Sequence, residues 1–322
     1  MIKKICKYAI HLALTAQLAL TSSCQMTNCE MDPIIVYTPP SHQLTDLPSP
    51  FQRLSHEEEK SEWGKELIIG EVFAKEWDLY RAITAYKRAL ILIPEELVER
   101  KLQLHYDLLL CYYLGHKYQE VVNIFESTDL LQVNYLFPAF NNLLLILYES
   151  YQQLNQEEKA GCIHKMIQKC SNETAKDLTL FSLLKKKQID EAQSLIQQHR
   201  GFKSIQSSLN MYSTYAKSPK RARFLNAVLP GAGYYYVGQK KSALTSFMIN
   251  ALFTYAAYQF FQRGYPAAGI ITASMEMGWY YGGINGAGQE AQEFNNRLYE
   301  GVCKKILIDH QLFPVLMFQT SF

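Results

Sequence analysis

Acidic residues are missing from the whole stretch between Ala192 and Met275, although the chain of 322 residues holds 30 of them against 32 basic ones. Three of the basic residues lie in residues 1–23, which contain no acid, so the rest of the chain has a net charge of −1. A general nucleic-acid-binding protein would be more basic, so we expect no nucleic acid among the partners. Hydrophobic residues make up 48% of the chain, which excludes global disorder.

Cysteine and histidine form no pattern that would support chemistry. The seven cysteines include no pair at C-x-x-C spacing, which argues against both a disulfide framework and a zinc site. The eight histidines are scattered, and no Ser/His/Asp or Cys/His arrangement can be recognised. The sequence therefore predicts no metal, no cofactor and no enzymatic activity.

The first 24 residues have the pattern of an export signal. A basic stub, Met1–Lys7, precedes the mostly apolar run Tyr8–Leu20 and three small residues, which predicts a signal peptide over residues 1–23. The apolar run is too short to cross a membrane comfortably as a helix, so a permanent anchor is the weaker interpretation. The ending Leu-Thr-Ser-Ser-Cys resembles a bacterial lipoprotein signal, with Thr21 where leucine is usual. This resemblance implies lipidation of Cys24, and ordinary cleavage that leaves a free thiol is the alternative.

Residues 24–56 are predicted to form a proline-rich tether. Five of the eleven prolines of the chain lie here: Pro33, Pro39, Pro40, Pro48 and Pro50. Such a composition resists helix formation and favours extended chain. We expect the tether to hold the following domain away from an N-terminal lipid.

Residues 57–200 are predicted to form a helical domain, with small and aromatic residues in a regular order: Gly70, Phe73, Ala82, Tyr86, Ala89 and Pro94. Gly70 and Ala82 are small where two helices would approach closely, and Pro94 would stop the second helix. This spacing resembles the tetratricopeptide repeat. The resemblance implies an all-α fold in which pairs of helices stack into a solenoid that binds proteins.

The pattern recurs less cleanly further along. The small markers Ala82, Val121, Ala160 and Ala192 are spaced by 39, 39 and 32 residues. In the register of the family, the first helix of each pair lines a concave groove, which would receive Glu71, Tyr106, Tyr113, Glu149 and Gln152. Such side chains suit an extended peptide or a partner helix. The alternative is an ordinary helical bundle with fortuitous spacing, in which these residues are simply solvated or packed.

The basic region 201–300 is rich in glycine and tyrosine, and it contains two apolar stretches. Ser242–Phe261 is twenty residues without a charge, Arg263–Pro266 has turn chemistry, and Ala267–Gln289 is apolar except for Glu276. This order predicts a membrane-associated helical hairpin in contact with anionic lipids. Glu276 would then need a partner, for which Asn250 is a candidate. The alternative is a very apolar hairpin buried in a soluble domain.

A glycine-rich motif, Leu229–Gly238, precedes this hairpin. It fits neither a dinucleotide loop nor a P-loop, because the third glycine is misplaced and no Gly-Lys-Ser/Thr follows. It resembles a turn in small two-span bacterial membrane proteins, Pro-Gly-x-Gly-x-x-Tyr-x-Gly, over about residues 217–295, with Tyr234 where glutamine is usual. The resemblance implies a membrane turn at Pro230, Gly231, Gly233 and Gly238, and no reaction.

Residues 301–322 are predicted to be a short C-terminal tail that packs on the rest. Together these features predict a non-enzymatic adaptor of the bacterial cell envelope, membrane-associated and facing the periplasm. A helical-repeat module would bind a protein partner, and the hairpin would hold it at a membrane. A soluble all-α scaffold and a secreted effector that acts on membranes are the two alternatives.

Overall fold

The computed structural model describes residues 33, 35, 37, 43, 44, 46–198 and 203–322, and every regular element within these ranges is helical. This confirms the all-α class. The predicted signal peptide and Cys24 lie outside the described residues. The α-helices are α1 His56–Lys60, α2 Glu62–Lys75, α3 Leu79–Leu92, α4 Val98–Leu114, α5 Tyr118–Ser127, α6 Phe140–Gln153, α7 Glu157–Cys170, α8 Asn172–Lys185, α9 Ile189–Gln198, α10 Lys203–Tyr215, α11 Pro219–Val228, α12 Ala232–Val237, α13 Lys240–Gln262 and α14 Pro266–Asp309.

The chain divides into two compact units. Among the described residues, the larger unit comprises those within 35–198 together with Lys304–Phe322, and the smaller unit consists mainly of Lys203–Cys303. In the larger unit, each helix from α2 to α8 packs on the helix that follows it. The division places residues 304–322 of the predicted tail, which was expected over 301–322, with the helices of the predicted repeat region.

One turn recurs four times in the larger unit. Trp77, His116, Asn155 and Lys187 have φ angles of 56–61°, and each lies between the two helices of a pair: α2/α3, α4/α5, α6/α7 and α8/α9. At each turn the next amide nitrogen donates to a carbonyl five residues back, as Asp78 does to Phe73 at 2.9 Å. This is a Schellman turn, which uses a left-handed residue to satisfy the last carbonyls of a helix. The four residues are 39, 39 and 32 positions apart.

The small markers lie where the helices cross. Ala82, Val121, Ala160 and Ala192 are all 0% exposed. Gly70 is also buried, and a methyl group added there would lie 2.5 Å from the ring of Tyr86, which is itself 0% exposed. Tight crossings of this kind require residues without bulk on one side, which is why these positions are alanine, valine or glycine.

The residues that flank this first crossing differ in their burial. Ala89 is fully buried, and α3 ends at Leu92, because Ile93 turns into an extended conformation ahead of Pro94. Phe73 is half-buried, with the guanidinium of Arg81 over its ring at 5.5 Å. Pro94 itself is exposed.

The smaller unit contains the predicted turn but a longer second helix. Helix α13 ends at Gln262 and α14 begins at Pro266, with Gly264 at a φ of 80° between them, as Arg263–Pro266 predicted. Helix α14 does not stop near Gln289 and runs on to Asp309, which corrects the boundary expected for the tail. Among the described residues, no helix combines the length and hydropathy that crossing a membrane would require.

Candidate functional site

The C-terminal segment Leu312–Phe322, called the tail below, contains no charged side chain and is mostly buried. It begins after a last Schellman turn, in which Leu312 donates its amide to the carbonyl of Leu307 at 2.8 Å. A short 3-10 helix, Pro314–Met317, follows and packs against α6. Leu312, Phe313, Phe318 and Phe322 are each at most 6% exposed.

The tail crosses the first helices of three successive pairs. Phe313 packs edge-on against Phe181 of α8, with the ring centroids 5.7 Å apart. Phe318 lies 5.9 Å from the ring of Tyr113 on α4. Between them on α6, Asn142 donates its Nδ2 to the carbonyl of Thr320 at 2.8 Å and to its Oγ1 at 2.9 Å. The first helices therefore form a groove, and the tail of the same chain lies in it.

Part of the predicted tether also packs in the larger unit. Ile35 and Leu44 are 5% and 3% exposed, and the ring of Tyr37 stacks on Phe313 with the centroids 4.9 Å apart. The amide of Ser321 donates to the carbonyl of Pro48 at 3.0 Å. The expectation of a free tether over residues 24–56 is therefore wrong for Ile35, Tyr37 and Leu44, because their side chains pack in the larger unit.

Arg100 on α4 fixes the entry of the chain into the larger unit. Its guanidinium makes five hydrogen bonds of 2.8–3.1 Å: two to Glu58, one to each of the carbonyls of Gln52 and Arg53, and one to Gln103. The paired guanidinium is the main cause that lowers the pKa of Glu58 to about 2. A planar fork of donors is suited to such bidentate pairing. Arg100 was not singled out by the sequence.

This anchoring positions an aromatic cluster at one side of the groove. Phe51 lies 5.6 Å from the ring of Tyr106 and 5.7 Å from the ring of Phe137, and Tyr106 and Phe137 are themselves 5.9 Å apart. Edge-to-face pairs at such distances add to the stability that burial provides. Tyr106 is 0% exposed as a result.

The expectation of an open groove is wrong for the tyrosines. Tyr106 and Tyr113 lie on the groove side of α4, but the chain itself covers them, and they are at most 4% exposed. Glu149 of α6 accepts a short hydrogen bond from the hydroxyl of Tyr113, and its charge adds to burial in raising the pKa of that tyrosine. Gln152 is half-buried and donates to Glu157 at 3.4 Å, so its contact is with α7.

Glu71, the fifth predicted groove residue, is half-buried on α2. Burial raises its pKa, and its charge also raises the pKa of Asp107 on α4, which is 1% exposed and is shifted mainly by its own burial. One carboxylate oxygen of Asp107 has no hydrogen-bond partner. This pair of acids therefore disfavours the charged state inside the unit.

Sequence reasoning missed Asn142, whose contact holds the tail by its backbone. A signal for it exists: Gln103 and Asn142 are 39 positions apart, which is the repeat spacing, and both are polar residues at 3% exposure within apolar helices. Buried amides need hydrogen-bond partners. Gln103 has Arg100, and Asn142 has the tail.

The smaller unit has a large exposed apolar surface on α13 and α14. Twelve large apolar side chains there are 44–64% exposed: Leu244, Phe247, Met248, Leu252, Tyr255, Tyr258, Phe261, Ile271, Met275, Met277, Trp279 and Tyr281. They are called the apolar face below. A soluble monomer seldom exposes so many neighbouring apolar groups, and such surfaces mark interaction sites. The alternative of a hairpin buried in a core does not fit these residues.

The glycine-rich motif forms a tight structural junction in the smaller unit. Gly231, at a φ of 92°, donates its amide to the buried Oδ1 of Asn226 at 2.9 Å, directly after Pro230. A methyl group on Gly233 would lie 2.3 Å from the carbonyl oxygen of Ala222, so only glycine fits where α12 meets α11.

The end of the motif is equally constrained. Gly238 ends α12 with a φ of 93°. Two cationic groups lie over the ring of the motif tyrosine, Tyr236: the Nζ of Lys217 is 5.2 Å and the Cζ of Arg221 is 5.3 Å from the ring centroid. Asn295 closes the junction by exchanging two hydrogen bonds of 2.7 Å with the backbone of Lys217. Gly231, Gly233 and Tyr236 of the motif therefore have backbone or packing roles in this junction.

Asn250 and Glu276 line one open cavity of about 630 Å³ in the smaller unit. Asn250 is 4% exposed and donates to the carbonyl of Ser246 at 2.6 Å, which leaves its Oδ1 without a partner. One oxygen of Glu276 is also buried without a partner, and burial raises the pKa of this carboxyl group. The two side chains share a cavity, but no hydrogen bond joins them, contrary to the pairing considered from the sequence.

Within the described ranges, no group of three or more His, Cys, Asp or Glu side chains could hold a metal ion. Compared with protein-family models, with curated proteins and with solved structures, the chain gives no match. The candidate sites are therefore the filled groove of the larger unit and the apolar face of the smaller one.

Proposed function

We propose that the chain is a non-enzymatic adaptor of the bacterial cell envelope. Its larger unit is a tetratricopeptide-like solenoid that binds a protein segment, and its smaller unit attaches that solenoid to a membrane surface. The observation that carries the first half is the seating of an eleven-residue segment, with no charged side chain and one short 3-10 helix, across α4, α6 and α8. The envelope location is proposed on the export signal and the lipid on Cys24 that the sequence predicts.

The groove has the parts that recognition of an extended segment requires. Tyr113 and Phe181 supply aromatic surfaces for two side chains, and Asn142 binds a backbone carbonyl between them. Backbone hydrogen bonds supply affinity that does not depend on sequence, while pockets for side chains supply specificity. The fourfold Schellman turn supports the solenoid, because the same hydrogen-bonded turn joins the two helices of every pair.

For the apolar face we propose one occupant, the surface of an anionic bilayer. Residues 203–303 contain nine basic and four acidic side chains, so the unit has the opposite charge to such a surface. Tyrosine and tryptophan are frequent on the face, and both prefer the headgroup layer. The hairpin would lie in the interface, with its apolar side chains inserted to a shallow depth.

The groove can be tested with a chain that ends at Gln311 and a labelled peptide of residues 312–322. We expect the peptide to bind this shortened chain with a Kd of about 1–100 μM, and an Asn142→Ala exchange in the shortened chain to weaken binding at least about tenfold. Far-UV circular dichroism would establish that the shortened chain is still helical. A helical, shortened chain that does not bind the peptide would exclude a peptide-binding groove.

Membrane attachment can be tested by sedimentation of the full chain with vesicles. We expect more protein to bind phosphatidylglycerol vesicles than phosphatidylcholine vesicles, and added salt to reduce the difference. Leu252→Glu, at a side chain 64% exposed on α13, should lower binding about tenfold, since about 1.5–3 kcal/mol of apolar burial is lost.

The matched control is Ile91→Glu, at a side chain 82% exposed on α3 of the larger unit, which should bind vesicles as the unchanged chain does. Equal binding of the two variants, or no binding of the unchanged chain to either vesicle, would contradict the attachment.

A further inference from the structure

The contacts of the tail differ in kind from those that hold the helices of the larger unit together. A helix of this unit is bonded along its whole length, whereas the backbone of the tail is bonded to other parts of the chain at separate points. Leu312 donates to the carbonyl of Leu307, Ser321 donates to the carbonyl of Pro48, and the carbonyl of Thr320 accepts from Asn142. Segments held at separate points in this way open more easily than a helical core.

The groove also binds the tail by features that another chain could provide. Asn142 contacts a carbonyl, which every residue has, and Thr320 adds only a hydroxyl group. The rings of Phe181 and Tyr113 contact Phe313 and Phe318, which are five positions apart. Since the tail contains no charged side chain, no side-chain ion pair makes the groove specific for this segment.

We infer that the tail is a displaceable internal ligand, which occupies the groove until a partner segment of the same chemistry replaces it. This inference rests on the proposed peptide-binding function. The partner is a protein segment without charged side chains that has two phenylalanines five positions apart and a proline after the first, as in Phe313-Pro314-Val315-Leu316-Met317-Phe318. The chain would thus be closed to weak ligands and open to segments that match its own tail.

The reason is one of effective concentration. A tethered ligand competes as if it were present at a millimolar level, so a free peptide must bind far more tightly than the tail or be held nearby. Attachment of the chain and its partner to one membrane surface would provide that proximity. Removing the aromatic contacts of the tail should therefore open the groove to a peptide that the unchanged chain excludes.

The first experiment uses the unmodified full chain and needs no variant. Hydrogen exchange followed by mass spectrometry compares the tail with the buried stretch 143–147 of α6. We expect the tail amides to exchange at least tenfold faster, because they open without unfolding of the unit. Equal protection of the two segments would show that the tail is part of the core and would overturn the inference, whatever the shortened chain binds.

The second experiment uses a labelled peptide of residues 309–322 and full chains. We expect Phe313→Ala/Phe318→Ala to bind this peptide at least tenfold more tightly than the unchanged chain does. Gln319→Ala, at an exposed tail position, is the matched control and should bind as the unchanged chain does. A peptide in which Phe313 and Phe318 are replaced by alanine should bind none of the chains.

The outcomes separate the two proposals. A fast-exchanging tail together with a helical double variant that does not bind the peptide would refute the peptide-binding function itself. If the double variant and the unchanged chain bind the peptide with equal affinity, while the shortened chain does bind its peptide, displacement alone is refuted. A dimer of the unchanged chain at high concentration would assign the groove to the tail of a second copy and overturn the external partner.

Discussion

Gly70→Ala tests the helix crossing on which the larger unit depends. The added methyl carbon would lie 2.5 Å, 2.6 Å and 3.0 Å from three ring carbons of Tyr86, where ordinary contacts are about 3.4–4 Å. The ring has no free space to move into, because Tyr86 is 0% exposed. Overpacking of this kind costs about 1–3 kcal/mol.

The same exchange also has a favourable part, which must be subtracted. Alanine in the interior of a helix is about 1 kcal/mol more favourable than glycine. We therefore expect a net loss of about 0–2 kcal/mol in the free energy of unfolding. Gly161→Ala in α7 is the matched control, since a methyl group there meets no atom within 4 Å and the position is exposed. This variant should gain about 0.5–1 kcal/mol.

Urea unfolding followed by far-UV circular dichroism would measure both variants. The free energies of unfolding of the two variants should differ by about 0.5–3 kcal/mol, with Gly161→Ala the more stable. Adding Tyr86→Leu should remove most of the cost of Gly70→Ala, because a double-mutant cycle isolates the contact between the two side chains. The reasoning fails if Gly70→Ala is as stable as Gly161→Ala, or if its cost is the same with and without the Tyr86 ring.

Three further predictions concern buried charge and close packing. Glu58→Gln should cost about 1–2 kcal/mol at pH 7, less than the shift of its pKa to about 2 would suggest, because water still reaches the pair with Arg100. The cost should disappear as the pH falls from 4.5 towards 2, as acid titration of the unfolding midpoint would reveal. Asp107→Asn should stabilise the chain at pH 8 and have no effect at low pH, since the raised pKa of Asp107 means that stability is lost as the pH rises; equal effects at both values would contradict this. Gly233→Ala should lower the free energy of unfolding of the smaller unit by about 1–3 kcal/mol, because the carbonyl oxygen of Ala222 cannot yield, and an unchanged value in denaturant titration would exclude that contact.

Features that depend on neighbours in the chain could be predicted from the sequence. The turn at Arg263–Pro266 follows from local backbone requirements, and the structure has it between α13 and α14. Gly231 and Gly238 of the Leu229–Gly238 motif have the positive φ angles that glycine allows, while the membrane turn expected there stays a prediction. The spacing of Ala82, Val121, Ala160 and Ala192 likewise marks the helix crossings, because only small residues fit where two helices meet.

Features that depend on distant parts of the chain could not be predicted. The tail reaches the groove from more than a hundred residues away, and nothing local in Tyr106 or Tyr113 distinguishes a side chain open to a partner from one covered by the same chain. Asn142 and Arg100 could not be predicted for the same reason, since each acts through a hydrogen-bond partner that is remote in sequence.

The amino-acid sequence by itself determined the helices, their turns and the positions of close contact, because these follow from backbone geometry and residue size within a few turns of helix. Only the tertiary structure decided which surfaces are covered. It buried the tail in the groove of the larger unit, where aromatic rings pack against its phenylalanines and the side-chain amide of Asn142 donates to its backbone. It left the equally apolar side chains of α13 and α14 exposed, because the smaller unit offers them no such surface.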